Sequence, residues 1–202
     1  MTMSAEDQKS SLLKLREMTG AGMMDCKSAL QESNGDIKSA QEILRRKGLD
    51  IAKKKASREV KEGQILSYIH AGGKLGVLIE INCETDFVAK NEQFQEFGKN
   101  IAMQIAAAFP LYVRAEDIPQ AELEKERANF TAEVKDKPVP VQEKIITGKL
   151  AKRFEDICLL NQKYIKDDSK TVQDYLNEII ARIGQNIVIR RFVRFEVGGG
   201  AS

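Results

Sequence analysis

The hydrophobic pattern of this chain changes period part-way along, and that change decides its fold class. Up to about residue 48, apolar residues recur every three to four positions. From Gln64 to His70 and from Lys74 to Cys83 the sequence is instead rich in Ile, Leu, Val and Tyr, the signature of two short strands. Helical spacing returns after Asn91, and β-branched and aromatic residues alternate with Arg190, Arg194 and Glu196 near the end. A chain reading helix, strand, helix, strand cannot be all-α or all-β, and the segregated order predicts an α+β protein: an antiparallel sheet with packed helices, preceded by a helical module.

The loop between the two strands, His70-Ala71-Gly72-Gly73-Lys74-Leu75, supplies hairpin residues. A two-residue Gly72-Gly73 turn would put Leu66, Tyr68, His70, Leu75, Val77, Ile79, Ile81 and Cys83 on one face, the expected core side of the sheet.

The first module reads as three helices. Ser4 to Asp7 offers an N-terminal start, and Leu12, Leu13 and Leu15 begin an apolar stripe that Thr19-Gly20-Ala21-Gly22 interrupts. A second helix is expected over Met23 to Glu32, with Met23, Cys26, Ala29 and Leu30 on one face. Asn34-Gly35-Asp36 makes a turn, with Asp36 placed to cap a third helix carrying Ile37, Ala40, Ile43 and Leu44, and Gly48 reads as its stop. The expected organisation is therefore a three-helix module over 1–48, a basic linker helix over 49–62 containing Lys53-Lys54-Lys55, an α+β core over 63–197 and a flexible tail over 198–202. Within the core, a helix from Asn91 to Pro110 carries Phe94, Phe97, Ile101, Ile105 and Ala108. Asp117 to Asp136 reads as a solvated helix, separated by Pro138 and Pro140 from a longer one over Val141 to Leu160. A further helix is expected from Ser169 to Ile183, and a last strand from Ile187 to Val197.

Composition excludes several functions. The 202 residues carry 32 basic and 30 acidic side chains, a net charge of +2, which disfavours a phosphate-tracking nucleic-acid binder at the level of the whole chain. No apolar run approaches 18 residues and the start is polar, with Glu6 and Asp7, so neither a membrane span nor a signal peptide is expected and the protein is placed in the cytoplasm. Cys26, Cys83 and Cys158 are odd in number and lack CxxC spacing, which suggests no disulfide framework and no metal site. The single histidine, His70, lies roughly 26 Å from Cys83 at about 3.3 Å per strand residue, too far for a nucleophile and its base. No cofactor is expected, and binding rather than covalent chemistry is the default.

Three segments stand out. Thr19-Gly20-Ala21-Gly22 has no preceding strand, no third Gly and no Gly-Lys-Ser/Thr ending, so it reads as a turn between helices rather than a phosphate loop. Met23 and Met24 are about 100° apart around a helix, so a single core face does not easily take both. Either one meets solvent or a partner, or both lie under the neighbouring loop. Glu84-Thr85-Asp86-Phe87-Val88-Ala89-Lys90-Asn91 lies where a strand hands over to a helix. There Phe87 and Val88 are either exposed binding residues or staples for the helix, with Thr85 or Asp86 as cap.

Two of these segments, Leu15-Arg16-Glu17-Met18-Thr19-Gly20-Ala21-Gly22-Met23-Met24-Asp25-Cys26-Lys27 and Glu80-Ile81-Asn82-Cys83-Glu84-Thr85-Asp86-Phe87-Val88-Ala89-Lys90, resemble the signature segments of the translation elongation factor Ts family, in the same order and at the same spacing. Ser169-Lys170-Thr171-Val172 and Ile189-Arg190-Arg191-Phe192-Val193-Arg194-Phe195-Glu196-Val197 resemble it too, so the likeness covers nearly the whole chain. It implies that the N-terminal module is similar to ubiquitin-associated domains. It also implies guanine-nucleotide exchange on the elongation GTPase Tu, with Thr85, Asp86, Phe87 and Val88 displacing the magnesium of the GTPase and Arg16, Met23, Met24 and Lys27 gripping its surface. Longer members of the family carry a second core half and an inserted helical hairpin, for both of which this sequence is too short. A homodimer that rebuilds the doubled core is therefore expected. The rival reading is an adaptor in which the Met23-Met24 surface alone binds a partner.

Overall fold

The computed structural model describes residues 5–199. Its elements run α1 (Ala5–Thr19), α2 (Met23–Glu32), α3 (Ile37–Lys55), β1 (Glu62–Ile69), β2 (Leu75–Cys83), α4 (Asp86–Ala89), α5 (Glu92–Ala108), α6 (Gln120–Glu133), α7 (Val139–Ile157), β3 (Lys163–Tyr164), β4 (Asp167–Thr171), α8 (Val172–Ile183) and β5 (Ile187–Glu196). The fold is α+β, with a three-stranded antiparallel sheet ordered β1-β2-β5 and a separate β3-β4 hairpin. Two compact units interleave along the chain. One takes the residues up to Gln64 with Asn82–Phe97 and Asp174–Val188, the other Ile65–Ile81, Gly98–Gln173 and Ile189 onward.

In the first unit, α1 to α3 bury the stripe their spacing predicts except for Leu13 and Met23, which are exposed: Leu15, Cys26, Ala29, Leu30 and Ala40 form a core edged by Leu12, Ile37, Ile43 and Leu44. Helix α2 has the expected bounds. Asp36 caps α3 by accepting from the Ser39 amide at 3.0 Å and the Ser39 hydroxyl at 2.5 Å, which holds its carboxyl below the usual range. The proposed Ser4 start lies outside the described residues.

Gly48 does not stop α3. It is buried in the middle of the helix, and a Cβ there would lie 3.7 Å from Cβ of Ala181, an ordinary packing distance, so the position faces α8. Lys53-Lys54-Lys55, expected in a separate linker helix, form the last turn of α3, where cations meet the negative end of the helix dipole.

In the second unit the strands of the hairpin face as expected, but His70, expected on the core side, is exposed at the turn. Val77, Ile79 and Ile81 are buried, and β1 alternates between exposed and half-buried side chains. The turn is wider than two residues. The amide of His70 donates to Leu75 O at 2.8 Å and that of Gly73 to His70 O at 2.9 Å, leaving Ala71 to Lys74 as a four-residue loop in which Gly72 and Gly73 both have positive φ. Helix α5 reaches the sheet through Gly98, where a Cβ would collide with Cδ1 of Leu66.

Three other boundaries shift. Pro140 lies inside the first turn of α7, where its missing N–H has no helical partner to lose, and α7 ends at Ile157. The stretch expected to begin a helix at Ser169 instead forms β4, and α8 begins at Val172. The β3-β4 hairpin, which the periodicity does not show, is tied to α5 by the fully buried Gln104. Its Oε1 accepts from the Ile165 amide at 2.8 Å, and its Nε2 donates to Lys163 O at 3.1 Å and Gln162 Oε1 at 3.2 Å.

Helix α6 buries no side chain, as its mixed charge implies, and ion pairs join it to α7: Arg127 with Glu143, Arg153 with Glu126, and Lys149 with Glu133. No helix among the described residues is long and apolar enough to cross a membrane.

Candidate functional site

The two segments singled out in the sequence both belong to the first unit. The second begins where β2 ends. The thiol of Cys83, buried and pushed up in pKa by that burial, donates to Thr85 O at 3.1 Å. Thr85 takes extended backbone angles and sits at the N-cap of the four-residue helix α4, but its hydroxyl makes no cap bond; it pairs with the Gln185 side-chain amide at 3.2 Å. Asp86 pairs with Lys90 at 2.9 Å, one turn on, and the Lys90 ammonium holds the carboxyl of Asp86 below the usual carboxylate range.

The next three residues divide by direction. Val88 and Ala89 are buried and pin α4 down, whereas Phe87 is 82% exposed. Of the two expectations for this junction, stapling falls to Val88 and exposure to Phe87.

The first segment is held in the same manner. Cys26, Ala29 and Leu30 bury the inner face of α2, and its first residues point outward: Met24 is 74% exposed and Met23 40%. Neither lies beneath the loop. Arg16 in the last turn of α1 and Lys27 on α2 are also exposed, as is Met18. The segment thus exposes three methionines together with the cations Arg16 and Lys27 and the carboxylates Glu17 and Asp25.

The loop between α1 and α2 depends on Gly20. Its φ is +62°, in the left-handed region, and the space a Cβ would take is filled by the Arg182 guanidinium, whose Nη2 donates to Thr19 O at 2.7 Å. Thr19 closes α1 by bonding Leu15 O at 2.7 Å, and the Ala21 amide donates to its hydroxyl at 3.3 Å.

Arg182, Gln185 and Asn186, which the sequence reading did not select, hold both segments. The Asn186 amide donates to Glu84 Oε1 at 2.6 Å and its Nδ2 to Arg58 O at 2.8 Å. The available signal was Gly184, a helix stop with positive φ followed at once by two amide side chains.

The chemistry elsewhere is sparse. All three cysteines are buried, and burial pushes the Cys158 thiol up to about 11, far from a reactive thiolate. Among the described residues no group of three or more His, Cys, Asp or Glu could hold a metal ion. His70 lies in the hairpin loop with Nδ1 3.0 Å from the Tyr68 hydroxyl.

Fold and site together define an α+β protein with an N-terminal three-helix bundle, which presents a methionine pair at one helix start and a lone aromatic at a strand-to-helix junction. The family model described as Elongation factor TS matches residues 37–199. The chain is 56% identical over 187 residues to elongation factor Ts of Thermotoga sp. (strain RQ2), covering 93% of this chain and 94% of that one. To elongation factor Ts of Carboxydothermus hydrogenoformans it is 59% identical over 189 residues, 93% of this chain and 87% of the relative. The chain belongs to the elongation factor Ts family.

Proposed function

We propose that this protein is the guanine-nucleotide exchange factor of the elongation GTPase Tu, acting in the cytoplasm by binding a protein surface rather than nucleic acid or membrane. Phe87 carries the reading: a fully formed aromatic wedge, exposed to 82%, on a helix whose neighbouring residues Val88 and Ala89 are buried. GDP in a GTPase is held by magnesium and by backbone amides around its phosphates. Pressing Phe87 among the elements that position the ion weakens that hold without any covalent step. Asp86, whose carboxyl the paired Lys90 holds below the usual range, supplies a hydrogen-bond acceptor at the base of the wedge. Met23, Met24, Arg16 and Lys27 supply the grip that makes the wedge act on a bound partner.

Linkage sets the scale. Lowering nucleotide affinity by a factor on the order of a thousand to ten thousand requires about 4 to 5.5 kcal/mol of differential binding, within reach of a few buried anchors. Nucleotide weakens factor binding by the same factor, so GTP, arriving at a vacated site, releases the exchange factor.

The homodimer remains part of this reading. Ile65 is 70% exposed on β1, and Ile69, Leu78 and Phe195 are exposed on the same three-stranded sheet. Ile69 lies across Gly76, its Cδ1 3.0 Å from where a Cβ would be. A second copy laid on this apolar surface would cover it.

The deciding measurement is release of a fluorescent GDP analogue from the GTPase by the wild type and by Phe87→Ala. Wild-type acceleration that is lost in the variant, with an unchanged melting temperature, is the expected result. Equal acceleration by both would remove the wedge from the mechanism.

A further inference from the structure

The bonds made by residues 182–186 connect parts of the chain that are distant in sequence. Helix α8 ends at Ile183, and Gly184 turns the chain through a left-handed conformation, φ +80°, its amide closing on Ile180 O at 2.8 Å. On the helical side of that turn, Arg182 donates to Thr19 O at 2.7 Å and fills the space beside Gly20. Beyond it, the Gln185 side chain pairs with the Thr85 hydroxyl at 3.2 Å, and the Asn186 amide donates to Glu84 Oε1 at 2.6 Å. The turn itself is clamped from α3, where Lys55 Nζ donates to Gly184 O at 2.5 Å.

We infer that Arg182 and Gln185 are positioning residues for exchange: the end of α8 and the turn after it form a bracket that fixes the loop leading into α2, where Met23 and Met24 stand, and the junction bearing Phe87. This rests on the exchange reading above and extends it to residues whose bonds within the chain hold the two segments. Both segments carry exposed apolar side chains, Met24 on one and Phe87 on the other. A misplacement of about 1 Å at such a contact can change a rate a hundredfold. The division of labour follows from what each residue holds. Arg182 sets the loop before the methionine pair and so governs how tightly the factor is held. Gln185 sets Thr85, the residue from which α4 starts, and so governs what Phe87 does once the complex has formed.

The test is stimulated GDP release measured over a range of factor concentration, with the full chain. Arg182→Ala is expected to raise the half-saturating concentration about tenfold and leave the maximal rate within about twofold, since a charge-assisted hydrogen bond is lost. Gln185→Ala is expected to lower the maximal rate about fivefold with the half-saturating concentration nearly unchanged, the scale of one neutral hydrogen bond. Arg182→Lys keeps a cation within reach of Thr19 O, and Gln185→Glu keeps an acceptor for the Thr85 hydroxyl, so each should recover most of its loss.

Phe87→Ala, run in parallel, separates the two levels of the argument. If it abolishes release while Arg182→Ala and Gln185→Ala match the wild type, the bracket is wrong and the exchange reading stands. If Phe87→Ala also matches the wild type, the wedge fails and the positioning role fails with it. A lowered melting temperature with both kinetic constants falling together, and no recovery in the Lys and Glu variants, would show that the end of α8 merely maintains the fold.

Discussion

The guanidinium of Arg182 and the backbone of Gly20 share one small volume: Nη2 of Arg182 bonds Thr19 O at 2.7 Å, and the rest of the group lies where a glycine Cβ would be. The two positions are therefore coupled, although Arg182 is exposed and its guanidinium is the movable end of a long side chain. A bulkier residue at 20 drives the guanidinium off its carbonyl, and a shorter one at 182 leaves a left-handed backbone without its support.

Gly20→Ala should therefore destabilise the protein by about 1–2 kcal/mol, from the left-handed strain on an L-residue together with the displaced arginine. Thermal or urea unfolding measures it. In the double variant Gly20→Ala/Arg182→Ala the two losses should sum to less than their separate values, because the steric part vanishes with the arginine.

Gln104 is the polar centre of the second unit, and Gln104→Leu keeps its volume while orphaning the Ile165 amide and the Lys163 carbonyl. The expected loss is about 2–4 kcal/mol, in line with unsatisfied buried groups. Hydrogen exchange should show faster exchange at the Ile165 amide.

Glu42 accepts from Arg45 Nε at 2.8 Å and Arg46 Nε at 3.0 Å, and these guanidiniums hold its carboxyl at about 2, down from 4.5. A carboxyl depressed on folding adds stability that is fully present above its unfolded value and is lost as pH falls towards its folded value. Asp36 and Asp167, lowered by hydrogen bonds from Ser39 and Ser169, act in the same direction. Melting temperature should fall between about pH 5 and pH 2, and Glu42→Gln should make that fall shallower.

Ile65→Lys tests the dimer. The side chain is 70% exposed, so the substitution should leave the melting of the monomer fold unchanged while shifting sedimentation towards the monomer. A wild type that sediments as a monomer at micromolar concentration would dispose of the dimer.

Local physics carried most of the fold. The stripe of Leu15, Cys26, Ala29 and Leu30, the cap at Asp36 and the alternation of Val77, Ile79 and Ile81 all depend on neighbours within one or two turns, and all stand as the sequence implies. The departures occur where a distant residue intervenes. Gly48 looks like a stop until Ala181 is set beside it, and the Asp167–Thr171 strand carries no apolar period because Gln104, far away in α5, holds the hairpin. The site divides in the same way. Phe87 and the Met23-Met24 pair are conspicuous because apolar residues stand in polar surroundings, but which way Phe87 and Val88 face was undecided until the buried footing of α4 was known.

By itself, the sequence determined the change of period, and with it the fold class, the order of the elements and the two unusual segments, since these follow from spacing and composition along the chain. Tertiary structure alone decided that Arg182 and Gln185 hold those segments. A hydrogen bond between residues 163 positions apart, like that of Arg182 to Thr19, leaves no trace in local periodicity; it exists only once helix packing has brought the two ends of the chain together.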